Sequence, residues 1–215
     1  GGQDPRPRAV LRSLRKRKLK NGVLSAKRRK GHGLFSRPAS AHPERNSDIM
    51  ANPIIEIKVR DYGTIRAELY PKNAPKTVEN FLSLVDSEFF DGLIFHRVIK
   101  GFMLQGGGYD EEFEPRHADP IKGEFAANGW MNNTQKHTRG ALSMARTSDP
   151  DSASSQFFIM HRDAPHLDAQ YAAFGMVTEG LDVVDKIADV KTGRYGYFSD
   201  VPRTPVVIES IRRAD

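Results

Sequence analysis

The sequence predicts a mainly β fold, a closed antiparallel β-barrel with two α-helices, behind a basic N-terminal tail. Three observations support this. Apolar and polar side chains alternate with a period of two around residues 55–69, short apolar segments are separated by turn residues over 141–177, and the charge changes abruptly near Met50. The 215 residues are enough for one domain with a substantial core and a tail.

The tail is defined by its charge. Residues 1–49 contain 14 Lys or Arg and 3 Asp or Glu, a net of +11; the whole chain carries +6, which leaves −5 for residues 50–215. A segment so basic and so poor in aromatics is expected to be disordered. We therefore predict a basic extension over 1–49 and a folded domain over 50–215. The extension has four open interpretations: a solvated or non-native appendage, a weak nucleic-acid contact, a surface for anionic lipid, or an organellar presequence.

Composition excludes several classes of site. The chain has no cysteine, so disulfides, thiolate metal sites and cysteine nucleophiles are excluded. The 7 histidines show no metal-ligand spacing, and we expect neither a metal nor another cofactor. No apolar run is long enough to span a membrane, and the N-terminus lacks the apolar centre of a secretory signal. These features favour a cytoplasmic location. We also expect the protein to be a monomer.

Periodicity places the first elements of the domain. Apolar and charged residues alternate over 55–59 and again over 65–69, with a glycine-containing turn at 61–63 between them, which is typical of an antiparallel hairpin. A helix is predicted after Pro75, because one apolar stripe with spacing i, i+3, i+4 and i+7 follows, formed by Val78, Phe81, Leu82 and Val85.

Short apolar segments bounded by turn residues predict the remaining strands. A second helix is predicted over 181–188. The further strands are predicted at 93–99 and 102–105, interrupted at Gly101, and at 141–145, 156–160, 172–177 and 206–211.

Arg97 and Gln156 each stand among large apolar residues in these strands. Because an unpaired charge is costly to bury, Arg97 needs a polar partner, and an open pocket for a ligand amide would supply one. A small apolar cup sized for a proline ring would then form. Its residues are Arg97, Phe102, Met103, Gln105, Gln156, Phe158 and Leu167. The alternative is ordinary barrel core, and spacing alone favours that alternative.

Four segments together resemble the cyclophilin family of peptidyl-prolyl cis/trans isomerases. They are Ala-Pro-Lys-Thr-Val-Glu-Asn-Phe at 74–81, Phe-His-Arg-Val-Ile-Lys-Gly-Phe-Met-Leu-Gln-Gly-Gly at 95–107, Gly-Ala-Leu-Ser-Met-Ala at 140–145 and Ser-Gln-Phe-Phe-Ile at 155–159. The resemblance runs from about 54 to 211, and residues 145–152 look most like the bacterial cytosolic branch.

The resemblance implies an eight-stranded antiparallel barrel closed at its ends by two helices, and an isomerase that assists protein folding. It implies that the partners are proline-containing peptides and unfolded proteins, and that Arg97 is the catalytic residue. It assigns the proline pocket to Phe102, Met103, Phe158 and Leu167, and the grip on the substrate backbone to Gln105 and Gln156. The stretch Ala145, Arg146 and Thr147 would lie against the residue before proline.

Three positions depart from the pattern that is common in eukaryotic members. His166 stands where many members have a tryptophan, Tyr171 replaces the usual pocket histidine, and Arg146 replaces an asparagine. The resemblance still assigns all three to substrate binding, and Arg146 would favour acidic residues before proline. The alternative function is a non-catalytic module that binds proline peptides and is directed to RNA or ribosomes by residues 1–49.

Overall fold

The computed structural model describes residues 51–214, so the predicted extension over 1–49 lies outside the described residues. This part of the chain forms two α-helices and ten β-strands. Neither helix is long and apolar enough to cross a membrane. The helices are α1 (Pro75–Asp86) and α2 (Leu181–Ala188). The strands are β1 (Ile54–Val59), β2 (Gly63–Leu69), β3 (Arg97–Ile99), β4 (Met103–Gly106), β5 (Ala141–Met144), β6 (Phe157–Met160), β7 (Ala173–Glu179), β8 (Thr192–Tyr195), β9 (Phe198–Pro202) and β10 (Ile208–Ala214).

Eight strands form one curled sheet in the order β10-β1-β2-β7-β5-β6-β4-β3, and each of its strand pairs is antiparallel. This confirms the predicted mainly β domain with two helices. Strands β8 and β9 form a separate two-stranded sheet, which we call the ribbon (Thr192–Pro202). The sequence patterns did not predict the ribbon.

The prediction of a closed barrel is wrong. Strands β10 and β3 end the sheet and do not pair with each other. The segment before β3 meets the segment before β10 and its first residue, through backbone hydrogen bonds such as Gly92 N–H to Ile208 O and Phe95 N–H to Val206 O, both 2.9 Å. Pro205, just before this segment, has no N–H, so its nitrogen cannot extend the pairing towards β3. The sheet is therefore open and strongly curled.

Alternation along β6 divides the interior into two apolar clusters. Phe157 and Ile159 belong to the main core, whereas Phe158 and Met160 belong to a smaller cluster on the other face. Successive side chains of a strand point to opposite faces, so one short strand serves both clusters. The apolar stripe of α1 is buried against the main core, as its spacing predicts.

The long loop between β4 and β5 is fixed to the start of α1. The helix begins after Ala74, which has no side-chain cap of its own. Instead, the buried Glu124 carboxylate accepts hydrogen bonds from the backbone N–H groups of Lys76 at 3.0 Å and Thr77 at 2.8 Å, and from the Thr77 hydroxyl at 2.8 Å. A carboxylate at this position satisfies free N–H groups and complements the helix dipole.

Candidate active site

A cavity of about 260 Å³ opens on the sheet face opposite the main core, and we call it the proline cavity. Its wall contains nine of the twelve predicted site residues. They are Arg97, Phe102, Met103, Gln105, Ala145, Arg146, Phe158, Leu167 and Tyr171.

Strand register aligns the central side chains. Arg97 of β3 lies opposite Gln105 of β4, which in turn lies opposite Phe158 of β6. Directly paired residues of neighbouring antiparallel strands share one face of the sheet. The cation, the amide and the aromatic ring therefore stand in one row across three strands.

The floor of the proline cavity is apolar and buried. Met103, Phe158 and Leu167 are at most 9% exposed. Tyr171 meets Phe158 edge to face, with ring centroids 5.9 Å apart. His166 does not line the cavity but stacks on Phe102 at its rim, with centroids 5.8 Å apart. The result is a cup with an apolar floor and the rings of Phe102 and Tyr171 in its wall.

Two glutamines stand together at the rim. The Gln105 Nε2 amide donates a 3.0 Å hydrogen bond to Gln156 Oε1. Gln156 and Thr147 line an adjoining cavity of about 230 Å³, which shares Gln105, Ala145 and Arg146 with the proline cavity. A peptide whose ring occupies the cup could thus continue along a second, polar groove.

Arg97 reaches the proline cavity from its rim. Its side chain is 42% exposed, and its Nε lies 3.7 Å from Oδ2 of Asp200 in the ribbon, beyond hydrogen-bond distance. Asp200 is itself half exposed and has a left-handed backbone, with φ at 59°. The guanidinium is thus steered by a neighbouring carboxylate without being locked to one in the interior, and its donors remain available to a ligand.

The comparisons with known proteins agree with this geometry. Residues 54–213 match the family described as cyclophilin type peptidyl-prolyl cis-trans isomerase/CLD. The chain belongs to the cyclophilin-type peptidyl-prolyl cis-trans isomerases. The predicted family and enzyme class are therefore confirmed.

Bacterial enzymes are among the most similar relatives. A peptidyl-prolyl cis-trans isomerase of Acinetobacter baylyi is 50% identical over 169 residues, which is 76% of this chain and 86% of that protein. Peptidyl-prolyl cis-trans isomerase B of Escherichia coli is 43% identical over 160 residues, 70% of this chain and 94% of that protein. A Cryptosporidium parvum cyclophilin, solved in the presence of the dipeptide Ala-Pro, superimposes with a TM-score of 0.63 at 28% identity, covering 75% of this chain and 99% of that one.

Arg146 is folded over the cyclophilin site. Its guanidinium lies 4.6 Å from the Tyr171 ring centroid and 5.2 Å from that of Phe125. It donates to the backbone carbonyls of Thr147 at 2.8 Å and Gln170 at 3.0 Å. With these partners Arg146 forms part of the wall between the proline cavity and the adjoining groove.

Sequence reasoning missed the buried His137 beneath the cup. Its ring stacks on Phe158, with centroids 6.1 Å apart and planes inclined by 21°. Nδ1 lies 3.1 Å from Asp168 Oδ1, and Nε2 lies 3.0 Å from Ser143 Oγ. Burial lowers the pKa of His137 more than the neighbouring Asp168 carboxylate raises it, so the ring is neutral near pH 7. Nδ1–H then donates to Asp168, and Nε2 accepts from the Ser143 hydroxyl.

The serine, histidine and aspartate of this network resemble a nucleophilic triad in residue type only. Ser143 has no exposed surface, and His137 is 1% exposed, so no substrate reaches them. In this cyclophilin the His137 ring packs against the ring of Phe158 beneath the cup. Within residues 51–214, no three His, Asp or Glu side chains are grouped so that they could hold a metal ion.

Proposed function

We propose that the proline cavity is the catalytic centre for rotation about X-Pro peptide bonds, with Arg97 as the catalytic residue. One observation carries the proposal: the row of Arg97, Gln105 and Phe158 places a cation and an amide at the rim of a buried aromatic cup. A proline ring is the part of a peptide that such a cup would bind, because it is apolar and compact.

The reaction requires only a modest lowering of its activation barrier. Rotation must break the amide resonance, a barrier of about 18 to 20 kcal/mol, so the uncatalysed exchange takes tens of seconds. A turnover near 10² s⁻¹ requires the barrier to fall by roughly 5 kcal/mol. No covalent bond forms or breaks. Binding energy that is larger in the twisted state than in the planar ones is therefore sufficient.

Arg97 supplies that difference. As the peptide bond twists, the proline nitrogen becomes pyramidal and regains a lone pair that the planar amide delocalises. A guanidinium N–H directed at this nitrogen can donate a hydrogen bond to the lone pair only in the twisted state. Since the Arg97 side chain is 42% exposed in the free protein, the bound peptide itself must exclude water from the contact.

The other predicted residues bind and orient the substrate. Phe102, Met103, Phe158 and Leu167 hold the ring, and the paired amides of Gln105 and Gln156 hold the backbone around it. The residue before proline lies along Ala145, Arg146 and Thr147, which line the adjoining groove. The relative solved in the presence of Ala-Pro supports a dipeptide of this kind as the minimal ligand.

Replacement of Arg97 tests the assignment. We expect Arg97→Ala to lower kcat/KM by about 10²- to 10³-fold, as loss of a transition-state donor typically does, without lowering the melting temperature. NMR exchange spectroscopy on a short Ala-Pro peptide measures the rate without a coupled protease. Arg60→Ala is a matched control, because Arg60 is also about half exposed and ion-paired, with Glu111, but does not line the cavity. Turnover in Arg97→Ala within about threefold of wild type would contradict the proposal.

The charge of residues 1–49 favours a second candidate function. A segment with net charge +11 would bind phosphates, and such binding weakens steeply with salt. We propose that it contacts nucleic acid weakly beside an active isomerase. Salt-sensitive RNA binding that is lost on removal of residues 1–49, in a protein without isomerase activity, would support the non-catalytic binding module instead. A cytoplasmic location and a monomeric state stay predictions.

A further inference from the structure

A second cavity lies beside the proline cavity, on the side of the ribbon. It has a volume of about 320 Å³, and we call it the ribbon cavity. Arg97 and Gln105 line both cavities, so the two are continuous at the catalytic side chain. The remaining wall contains four rings, those of His96, Tyr109, Tyr197 and Phe198, and the polar side chains of Gln156 and Ser199.

The base of the ribbon cavity is fixed by packed rings. Phe198 of β9 meets Tyr109 edge to face at 5.1 Å and His96 at 6.2 Å between centroids. Its ring also lies 5.3 Å from Phe113, which stacks on Tyr195 of β8 at 4.2 Å. The ribbon is therefore held against the domain by a continuous aromatic cluster, and this wall is preformed.

Tyr197, at the tip of the ribbon, supplies an open aromatic face. Its side chain lies against Phe198, with centroids 4.3 Å apart, but the residue is 83% exposed. His96 adds no charge to the wall, because burial and the adjacent Arg97 charge lower the pKa of its ring to about 4. Arg97 thus provides the positive charge, and the exposed ring of Tyr197 beside Phe198 suits an aromatic or apolar group.

We propose that the ribbon cavity is a further substrate subsite that binds a large aromatic or apolar side chain just after the proline. The inference rests on the proposed function, because the ligand is the same peptide whose proline occupies the neighbouring cup. The residue before proline is assigned to the groove of Ala145, Arg146 and Thr147. Arg97 lines the proline cavity and the ribbon cavity but not that groove, so the residue after proline is assigned to the side of Arg97, towards Tyr197 and Phe198.

The proposal is tested by comparing peptides that differ in one side chain. The full-length protein is assayed by NMR exchange on Ala-Ala-Pro-Phe-Ala, Ala-Ala-Pro-Ala-Ala and Ala-Phe-Pro-Ala-Ala. Stacking of one ring predicts a kcat/KM about three- to tenfold higher with Phe after proline than with Ala there. In Tyr197→Ser this ratio should fall towards one, whereas Tyr197→Phe, which keeps the ring, should retain it.

Met131→Ser is the control. Met131 is a large apolar side chain that is 72% exposed, but it lines neither the ribbon cavity nor the proline cavity. Its variant should retain the preference for Phe after proline. Because Tyr197 is 83% exposed, its substitution should not prevent folding.

Three results would overturn the subsite: no preference for Phe after proline, a preference that survives in Tyr197→Ser, or a preference for Phe before proline. In each case turnover of the Pro-Ala peptide would leave the proposed function intact. Absence of all turnover would instead contradict the proposed function. The subsite would then be judged from the same ratios in peptide affinity, measured by isothermal titration calorimetry.

Discussion

His137 and His96 are buried histidines beside the two cavities that meet at Arg97, and they are held in different ways. His137, under the proline cavity, has hydrogen-bond partners on both ring nitrogens. His96, beside the ribbon cavity, has no partner for Nδ1 among residues 51–214 and packs against the rings of Tyr109 and Phe198. Burial lowers the pKa of both.

The wall of the proline cavity is therefore fixed by directional hydrogen bonds, whereas the wall of the ribbon cavity is fixed by the packing of aromatic rings. The proline cavity follows from the register of β3, β4 and β6, and its floor rests on the His137 network. The ribbon is a separate sheet, so its residues can be substituted without altering the backbone hydrogen bonds of the eight-stranded sheet. We therefore expect ring binding to depend on the sheet, and substrate preference to depend on the ribbon.

The largest effect on stability is expected from His137→Ala. The substitution leaves Asp168 and the buried Ser143 hydroxyl without their partner and opens a void beside Phe158. We expect the free energy of unfolding to fall by about 3 to 5 kcal/mol. Urea unfolding followed by circular dichroism measures the loss.

Ser143→Ala is the control for His137. It removes one hydrogen bond and leaves the contact of His137 with Asp168, so a smaller loss of about 1 to 2 kcal/mol is expected. If both variants lost less than about 1 kcal/mol, the network would not support the proline cavity, and the contrast with His96 would disappear.

The second prediction concerns the pH dependence caused by His96. The folded pKa is about 4, and the unfolded value is about 6.5. Between these values the unfolded state binds a proton that the folded state does not, so stability is lost as the pH falls through this window. The slope is about 1.4 kcal/mol per pH unit, or roughly 3 kcal/mol in total.

His96→Phe should remove this dependence. Phenylalanine keeps a ring between Tyr109 and Phe198, and Nδ1 has no hydrogen bond to lose among the described residues. The variant should therefore become progressively more stable than wild type as the pH falls from 6.5 to 4. Urea unfolding at several pH values measures the difference, in which contributions shared by both proteins cancel. Parallel stability curves would show that His96 does not titrate in this way.

Sequence periodicity correctly predicted those helices and strands that bury one face and expose the other. The hairpin of β1 and β2 and both helices match, and α2 has the predicted bounds Leu181–Ala188. The cup residues were found because Arg97 interrupts an apolar strand and a family motif surrounds it. Closure of the barrel was predicted wrongly, since it depends on backbone pairing between β10 and β3, which no side-chain pattern records.

The ribbon and the His137 network could not be predicted in the same way. Strands β8 and β9 are short, and most of their residues are half-buried or exposed without a regular alternation of buried and exposed positions. His137 and Asp168 are 31 residues apart in the chain and meet only in the folded state. The contact between Arg97 and Asp200 likewise joins residues that lack any common motif.

The smallest effect is expected from Asp200→Asn, which removes the charge that the ribbon places beside Arg97. Asparagine is tolerated at a left-handed φ such as the 59° of Asp200, so the backbone should not change. The pair is half exposed and separated by 3.7 Å, a geometry in which ion pairs contribute about 0 to 1 kcal/mol. We therefore expect kcat on an Ala-Pro peptide to change by at most about fivefold, with little change in KM.

The dependence of kcat on ionic strength shows whether Asp200 positions Arg97 or has only a structural role. If the carboxylate orients the guanidinium, kcat of wild type should approach that of Asp200→Asn as ionic strength rises, because exposed charges are screened. A structural role would leave the ratio of the two kcat values independent of salt. Equal kcat values at low salt would show that the Asp200 carboxylate does not position Arg97, which confines the difference between the two cavities to substrate preference.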